Sequence, residues 1–216
     1  SLLTGGGGNS NYWHWLYDVL PRLRLCEEIK QLKDIDYFIL PSFEKKFQVE
    51  TLKILNIDEK KFLSSKKFRH ILANELIVTD HPYNLTNNFH NDSQNIPIWI
   101  IKWLKEKFLE NMKKTEENYP KNIYLERVDL KLTKTQERSI TNEDEIKKFL
   151  ISKNFTFIRL NELPFSKQVN YFNNAKCIIG LHGAGFANLS FCNPKTKVIE
   201  FRTETTGPVI ENLAKK

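Results

Sequence analysis

The sequence predicts an α/β fold built from parallel sheets flanked by helices, divided into two halves near residue 118. Three observations carry this. Short runs such as "YFIL", "KCIIGL" and "KVIEF" are almost continuously apolar, as strands covered on both faces tend to be. Between them lie segments with apolar residues at helical spacing. Strand-like and helix-like segments alternate, which is the order that makes a parallel sheet with crossover helices.

The elements follow in order. "GGGGNS" (5–10) reads as a flexible or phosphate-approach loop, and without a Lys-Ser/Thr ending it is not a P-loop. "YWHWLYDVLPRLRLCEEIKQL" spaces Trp15, Leu16, Val19, Leu20, Leu23 and Ile29 as a helix, with Pro21 forcing a kink or a break. "IDYFILP" (35–41) is a strand ended by proline, "FEKKFQVETLKILNI" a helix and "LIVTD" (76–80) a further strand. The Asn-rich stretch 81–95 reads as a loop, and Pro97 starts the amphipathic helix "PIWIIKWLKEKFLENMKK". In the second half, "NIYLER", "FTFIRL", "KCIIGL" and "KVIEF" are strands. "TNEDEIKKFLISK", "PFSKQVNYFNNA" and the start "GAGFANLSF" are helices, the first with acids in its opening turn. The halves are therefore 1–118 and 119–216. The chain opens with Ser1 and ends soon after a strand, so it is expected to be part of a longer protein.

Bulk properties narrow the function. Hydrophobic content of 40% supplies a core and excludes general disorder. A formal charge of +7 suits an anionic partner, but 33 basic and 26 acidic residues are interspersed without a Lys/Arg block. Nucleic acid is therefore not expected as a partner. Cys26, Cys177 and Cys192 lack metal or disulfide spacing and fit core thiols in a reducing compartment. No apolar run approaches the length that spans a membrane. Trp99, Trp103 and nearby lysines would also suit a helix lying on a membrane surface, the alternative being packing between the halves.

In an open α/β sheet, ligands bind beyond the carboxyl ends of the strands. His182-Gly183-Ala184-Gly185 falls at such an end, directly before a helix. Small residues there let an anionic group approach backbone N–H groups, and the helix start favours negative charge. The plainer reading is a tight turn packed on a neighbouring strand. A lipase-type oxyanion loop is rejected because no G-x-S-x-G elbow exists. Arg127 ends one strand and Arg138 follows its loop, so both could meet a phosphate on the face of His182, or simply be surface arginines. Glu200, near the end of the last strand, could hold ribose hydroxyls or be an ordinary strand-end acid.

In the first half, His14, Asp18 and Arg22 share one helix face at spacing four if the helix continues to Pro21. Asp18 could orient His14 as a general base, with Trp13 and Trp15 receiving a sugar ring; a plain polar helix face is the alternative. "DID" (34–36) resembles a metal–nucleotide motif, but it precedes its strand and reads as a strand-start turn. His70, His81 and His90 lack metal spacing and read as surface residues.

Taken together, "NYWHWLYDVLPRL", the strand ending in Arg "IYLER", a second Arg, "TNEDEI", "LPFSKQV", "FNNAKCIIGLHGAGFANLSF" and "KVIEF" resemble glycosyltransferase family 61 over most of residues 9–202. The resemblance implies a GT-B-type fold of two Rossmann-like halves. The nucleotide-sugar donor would lie on the C-terminal half and the acceptor largely on the N-terminal half. It implies transfer with inversion to a glycan or protein hydroxyl, with a bacterial capsular or cell-surface polysaccharide as the expected setting and a UDP-sugar as the expected donor. A non-catalytic module that binds a nucleotide or glycan is the alternative. On this reading His14 or Asp18 is the base, and Arg127, Arg138 and His182–Gly185 receive the diphosphate. Glu200 and Asn188 hold the nucleoside, while Trp13, Trp15 and Arg22 face the acceptor. No cofactor or metal is expected, and the location is cytoplasmic, at the inner face of the membrane or free of it.

Overall fold

The computed structural model describes residues 1–3, 10–40, 43–83, 86, 88–110, 117–127 and 140–216. The expected parallel sheets are present. Strands β1 (Phe38–Leu40) and β2 (Phe62–Ser64) form a two-stranded parallel sheet in the first half. The second half carries a four-stranded, all-parallel sheet in the order β4-β3-β5-β6, from β3 (Asn122–Leu125), β4 (Thr156–Ile158), β5 (Cys177–Leu181) and β6 (Lys197–Phe201). Crossover helices follow β3 and β4 at Glu143–Ser152 and Phe165–Asn174, and a short helix, Val209–Ala214, follows β6.

Strand alternation sends side chains to two unlike faces. Ile123, Leu125, Ile158 and Ile178 point into the main core. Tyr124 and Ile179, register partners on β3 and β5, form a smaller cluster with Leu150 of the crossover helix. The main core does not stop at residue 118. It runs from Trp15, Leu52 and Phe108 through Phe165, Phe172 and Phe191 as one cluster. Phe165 is its aromatic centre, edge-on to Phe108 at 5.1 Å and to Phe191 at 5.8 Å. The backbone N–H of Phe165 donates to Glu50 Oε2 at 2.6 Å, so helix Lys46–Ile54 of the first half supplies a carboxylate to the first turn of a second-half helix.

One local expectation needs correction and two are refined. The strand at 76–80 does not form: these residues have no regular structure, Leu76 and Val78 are exposed, and the Ile77 carbonyl accepts instead from the Ser1 amino group at 2.7 Å. β1 begins at Phe38, after a 3-10 turn at Leu32–Asp34, which makes "DID" an approach to the strand. Helix Ile98–Leu104 continues as a π-helical stretch, Lys105–Glu110, and buries Trp103 and Phe108 against the core. Among the described residues no helix is long and apolar enough to cross a membrane.

Candidate active site

Pro21 neither breaks nor ends the first helix. An α-helical turn at Tyr12–His14 widens into a π segment at Trp15–Val19, and the α-helix resumes at Pro21–Glu27. The Leu20 N–H donates to the Trp15 carbonyl at 3.0 Å, five residues back. Proline has no N–H to give, and its ring would press on the carbonyl four residues earlier; the wider turn accommodates both. Asn11 caps the start, its side chain accepting from the Trp13 N–H at 2.9 Å.

The widened turn presents a polar cluster on one side. His14 Nδ1 lies 2.7 Å from Asp18 Oδ2, the pair that the spacing of four predicts. The Asp18 side chain is only 7% exposed, whereas that of His14 is 40% exposed. The other carboxylate oxygen, Oδ1, accepts a short hydrogen bond from the hydroxyl of Tyr83, a buried residue 65 positions along the chain. Arg22 Nε donates to the Asp18 backbone carbonyl at 3.0 Å and Nη1 to the Thr79 carbonyl at 2.9 Å. His81 stands edge-on to Tyr83 with ring centroids 4.5 Å apart. The hydrogen bond that Asp18 accepts raises the His14 pKa from its ordinary value despite partial burial. Burial pushes His81 in the opposite direction.

The second cluster stands at the end of β5. His182 is held at three points. Its N–H donates to the Phe201 carbonyl at 2.8 Å, its carbonyl accepts from Arg127 Nη1 at 2.6 Å, and its Nδ1 makes a short contact with Glu200 Oε1. A 3-10 helix, Ala184–Phe191, follows directly, with Gly183 before its first residue. A Cβ on Gly183 would sit 3.2 Å from Arg127 Nη1, so the missing side chain is what lets the guanidinium lie across the turn. A cleft of about 320 Å³ opens here. Leu125, Arg127, Leu160 and the residues 183–186 line one side, and Tyr12 and Phe47 of the first half line the other.

Tyrosine hydroxyls join the two clusters. Tyr12 donates to Asn188 Oδ1 at 2.7 Å, and Asn188 Nδ2 donates onward to Gln168 Oε1 and the Gly185 carbonyl, each at 3.2 Å. Tyr17, fully buried, donates to the Ala187 carbonyl at 2.8 Å and shares a hydrogen with Ser190 Oγ at 2.7 Å. The helix bearing His14 is thereby fastened to the 3-10 helix behind the glycine turn.

Comparison with known proteins supplies the deciding observation. The family model described as Glycosyltransferase 61 matches residues 12–199, from the first helix to the last strand. The chain belongs to glycosyltransferase family 61. A search among curated proteins finds no match. Family membership implies glycosyltransferase activity, with a nucleotide-sugar donor and a glycan acceptor.

In this family 61 chain the residues singled out from sequence fall into the two clusters just described. His14, Asp18 and Arg22 come together, as do Arg127, His182, Gly183, Ala184, Gly185 and Glu200. His14 does not line the 320 Å³ cleft; it follows Tyr12, which does, on the same helix. Arg138 and residues 5–9 of the glycine run lie outside the described residues. Trp15 needs correction, because it is completely buried with its indole N–H donating to Thr51 Oγ1 at 2.9 Å and has no surface for an acceptor. Trp13 is half-buried, stacked at a tilt on Tyr17 at 4.6 Å. Asn188 is fully buried with its amide engaged, and Glu200 contacts His182, so both bear on the turn from behind. His81 is half-buried beside Tyr83 and not a plain surface residue. Burial raises the pKa of all three thiols, that of Cys192 to about 12, as core cysteines require.

Sequence reasoning missed Tyr83, Tyr12, Tyr17 and Gln168. Tyr12, Tyr17 and Gln168 lie within the family-like segments, but their roles come from partners elsewhere in the chain, and Tyr83 lies outside any such segment. Among the described residues no three His, Cys, Asp or Glu side chains come together as a metal site.

Proposed function

We propose that the protein transfers a sugar from a nucleotide-diphosphate donor, a UDP-sugar, to a hydroxyl of a glycan or protein in a single displacement that inverts the anomeric carbon. His14 is the base in this reading. Both oxygens of Asp18 are engaged and buried, and His14 Nδ1 is engaged by Asp18, which leaves Nε2 on a side chain that reaches solvent. The acceptor O–H proton passes to Nε2 while the oxygen forms a bond to the anomeric carbon. The bond from that carbon to the phosphate oxygen breaks, and its electron pair leaves with the diphosphate. General-base help of this kind is worth ~10²–10⁴-fold.

The diphosphate is received at the glycine turn. Arg127 lies against the Gly183 backbone, and the N–H groups of Ala184 and Gly185 open the following helix. Arg138 is proposed as a second cation there, and loss of one such donor commonly costs ~3 kcal/mol in the transition state. With arginines in this role, transfer is proposed to need no metal. Trp13 is the proposed acceptor-side aromatic, and Glu200 and Asn188 are proposed to serve the nucleoside end by fixing the turn it rests on. A bacterial capsular or surface polysaccharide, made at the cytoplasmic face, is the proposed setting.

One observation carries the reading: the helix that bears His14 is fastened by Tyr12 and Tyr17 to the helix behind the turn where Arg127 waits. The test is a melting-temperature panel with UDP, GDP, CMP and their sugars, with and without divalent metal. Saturation at a hundred times the dissociation constant adds about 2.7 kcal/mol, a shift of roughly 5–10 °C. A metal-independent shift with one nucleotide, abolished in Gly183→Val, is expected, together with turnover of the matching sugar donor. Binding without any hydrolysis or transfer would instead identify a binding module, and no shift with any nucleotide would refute the diphosphate seat.

A further inference from the structure

We propose that Tyr83 is a positioning residue for His14, acting through the Asp18 carboxylate. The inference rests on the reading of His14 as the base. Tyr83 comes from an irregular stretch of chain and is 1% exposed. Its hydroxyl occupies Asp18 Oδ1 while His14 occupies Oδ2, so the carboxylate plane is held from both ends. An aspartate side chain turns easily about its last torsion. Two partners, one at each oxygen, hold that torsion and divide the charge of the carboxylate between them.

The hydroxyl is a constant donor. Burial, and then the adjacent Asp18 charge, push the Tyr83 pKa far above its ordinary value, so the proton stays on the phenol throughout the range in which a histidine titrates. The tyrosine is itself held by the His81 ring edge-on and by the Arg22 bond to the Thr79 carbonyl, which ties its segment to the helix of His14. The charged or titratable groups around His14 are Asp18 and Arg22 from its own helix, with Asp80, His81 and Tyr83 from the opposing segment. Of these, Tyr83 donates from its side chain to the same carboxylate that holds His14. By drawing part of the Asp18 charge to itself, the phenol limits how strongly the carboxylate holds a proton on His14.

The test follows the His14 imidazole by NMR, its signal assigned by loss in His14→Gln, alongside the pH profile of turnover with the sugar donor that the melting-temperature panel selects. In Tyr83→Phe the His14 midpoint is expected to rise by about half to one pH unit, and the acid limb of kcat to move with it while KM stays within about twofold. In an Asp18→Asn background the same substitution should move the midpoint no further, since the intermediary is gone. Incorporation of 3-fluorotyrosine, whose more acidic phenol keeps the shape, should shift the midpoint the other way, and it serves if Tyr83→Phe folds poorly. An unchanged His14 titration, or an equal shift in the Asp18→Asn background, overturns the proposal. Undiminished turnover in His14→Gln would instead overturn the base reading, and with it the part of Tyr83 in the reaction.

Discussion

Tyr17→Phe isolates the bond that joins the two clusters. The substitution keeps the ring and removes one oxygen from a side chain with no exposed surface. A phenol has one hydrogen, so Tyr17 donates it to the Ala187 carbonyl at 2.8 Å and accepts from Ser190 Oγ at 2.7 Å. Phenylalanine would strand a buried carbonyl and a buried hydroxyl where water cannot replace the phenol. Leaving one such group unsatisfied costs about 1–3 kcal/mol. Ser190 can turn its hydroxyl toward a carbonyl of its own helix, so roughly 2 kcal/mol is expected in all, or a fall in Tm of about 4–8 °C for a chain of this size. Urea unfolding followed by tryptophan fluorescence measures it, with the slope against denaturant unchanged. Ser190→Ala on the same background should cost less than it does alone, because the two groups share one bond. A loss under about 0.5 kcal/mol, or strict additivity with Ser190→Ala, would refute the claim that this hydroxyl fastens the helices.

Gly180→Ala places a methyl 3.0 Å from Leu125 Cβ and 3.3 Å from the Phe186 ring, contacts that a packed sheet-and-helix interface yields only with strain. A loss of about 1–3 kcal/mol in the same urea assay is expected, without change in the pH profile of transfer. The raised His14 pKa gives two pH trends of opposite sign. The protonated imidazole is the form that folding favours, so its stabilisation is complete below about pH 6.5 and is lost as pH rises through the raised value. The stability gap between wild type and His14→Gln should therefore narrow from pH 6 to pH 8, while transfer, with His14 as the proposed base, should increase over the same interval.

How much could be read from sequence differs by the range of the forces involved. The strand "KCIIGL" was legible because a buried parallel strand needs apolar residues on both faces, whereas "KVIEF" carries a similar apolar run at the sheet edge, with Ile199 exposed. The His14–Asp18 pair was legible because spacing of four brings side chains together on any helical turn. "LIVTD" satisfied the same local rule and failed. Leu76 and Val78 are apolar at alternate positions, but a strand also needs a hydrogen-bonding neighbour, which only the tertiary arrangement provides. Trp15 failed for a related reason. Sequence shows an aromatic beside a histidine, but the phase of the helix decides whether it meets a ligand or the core. Pro21 signalled disturbance without saying that a π turn would absorb it. The contacts of Tyr83 with Asp18 and of Asn188 with Tyr12 were out of reach for local reasoning, because the partners lie 65 and 176 positions away.

The small residues of the glycine turn answer to two different neighbours. Backbone conformation does not demand glycine at 183, where φ is 172°, an extended value open to any residue. Space does: Arg127 lies 3.2 Å from where its Cβ would be. At Gly185 the obstacle is the tip of Leu160, 2.7 Å away, a flexible methyl that can move aside. The first glycine thus keeps a cation against the backbone, and the second is a matter of packing. The guanidinium is moreover already seated, because the His182 carbonyl holds it at 2.6 Å and the Phe201 carbonyl and Glu200 in turn hold His182. A donor fixed in advance need not be reoriented when charge develops on a leaving diphosphate, and that economy of reorganisation is where electrostatic catalysis gains most. The proposed role of Glu200 is then to keep the strand end, and through it Arg127, in place.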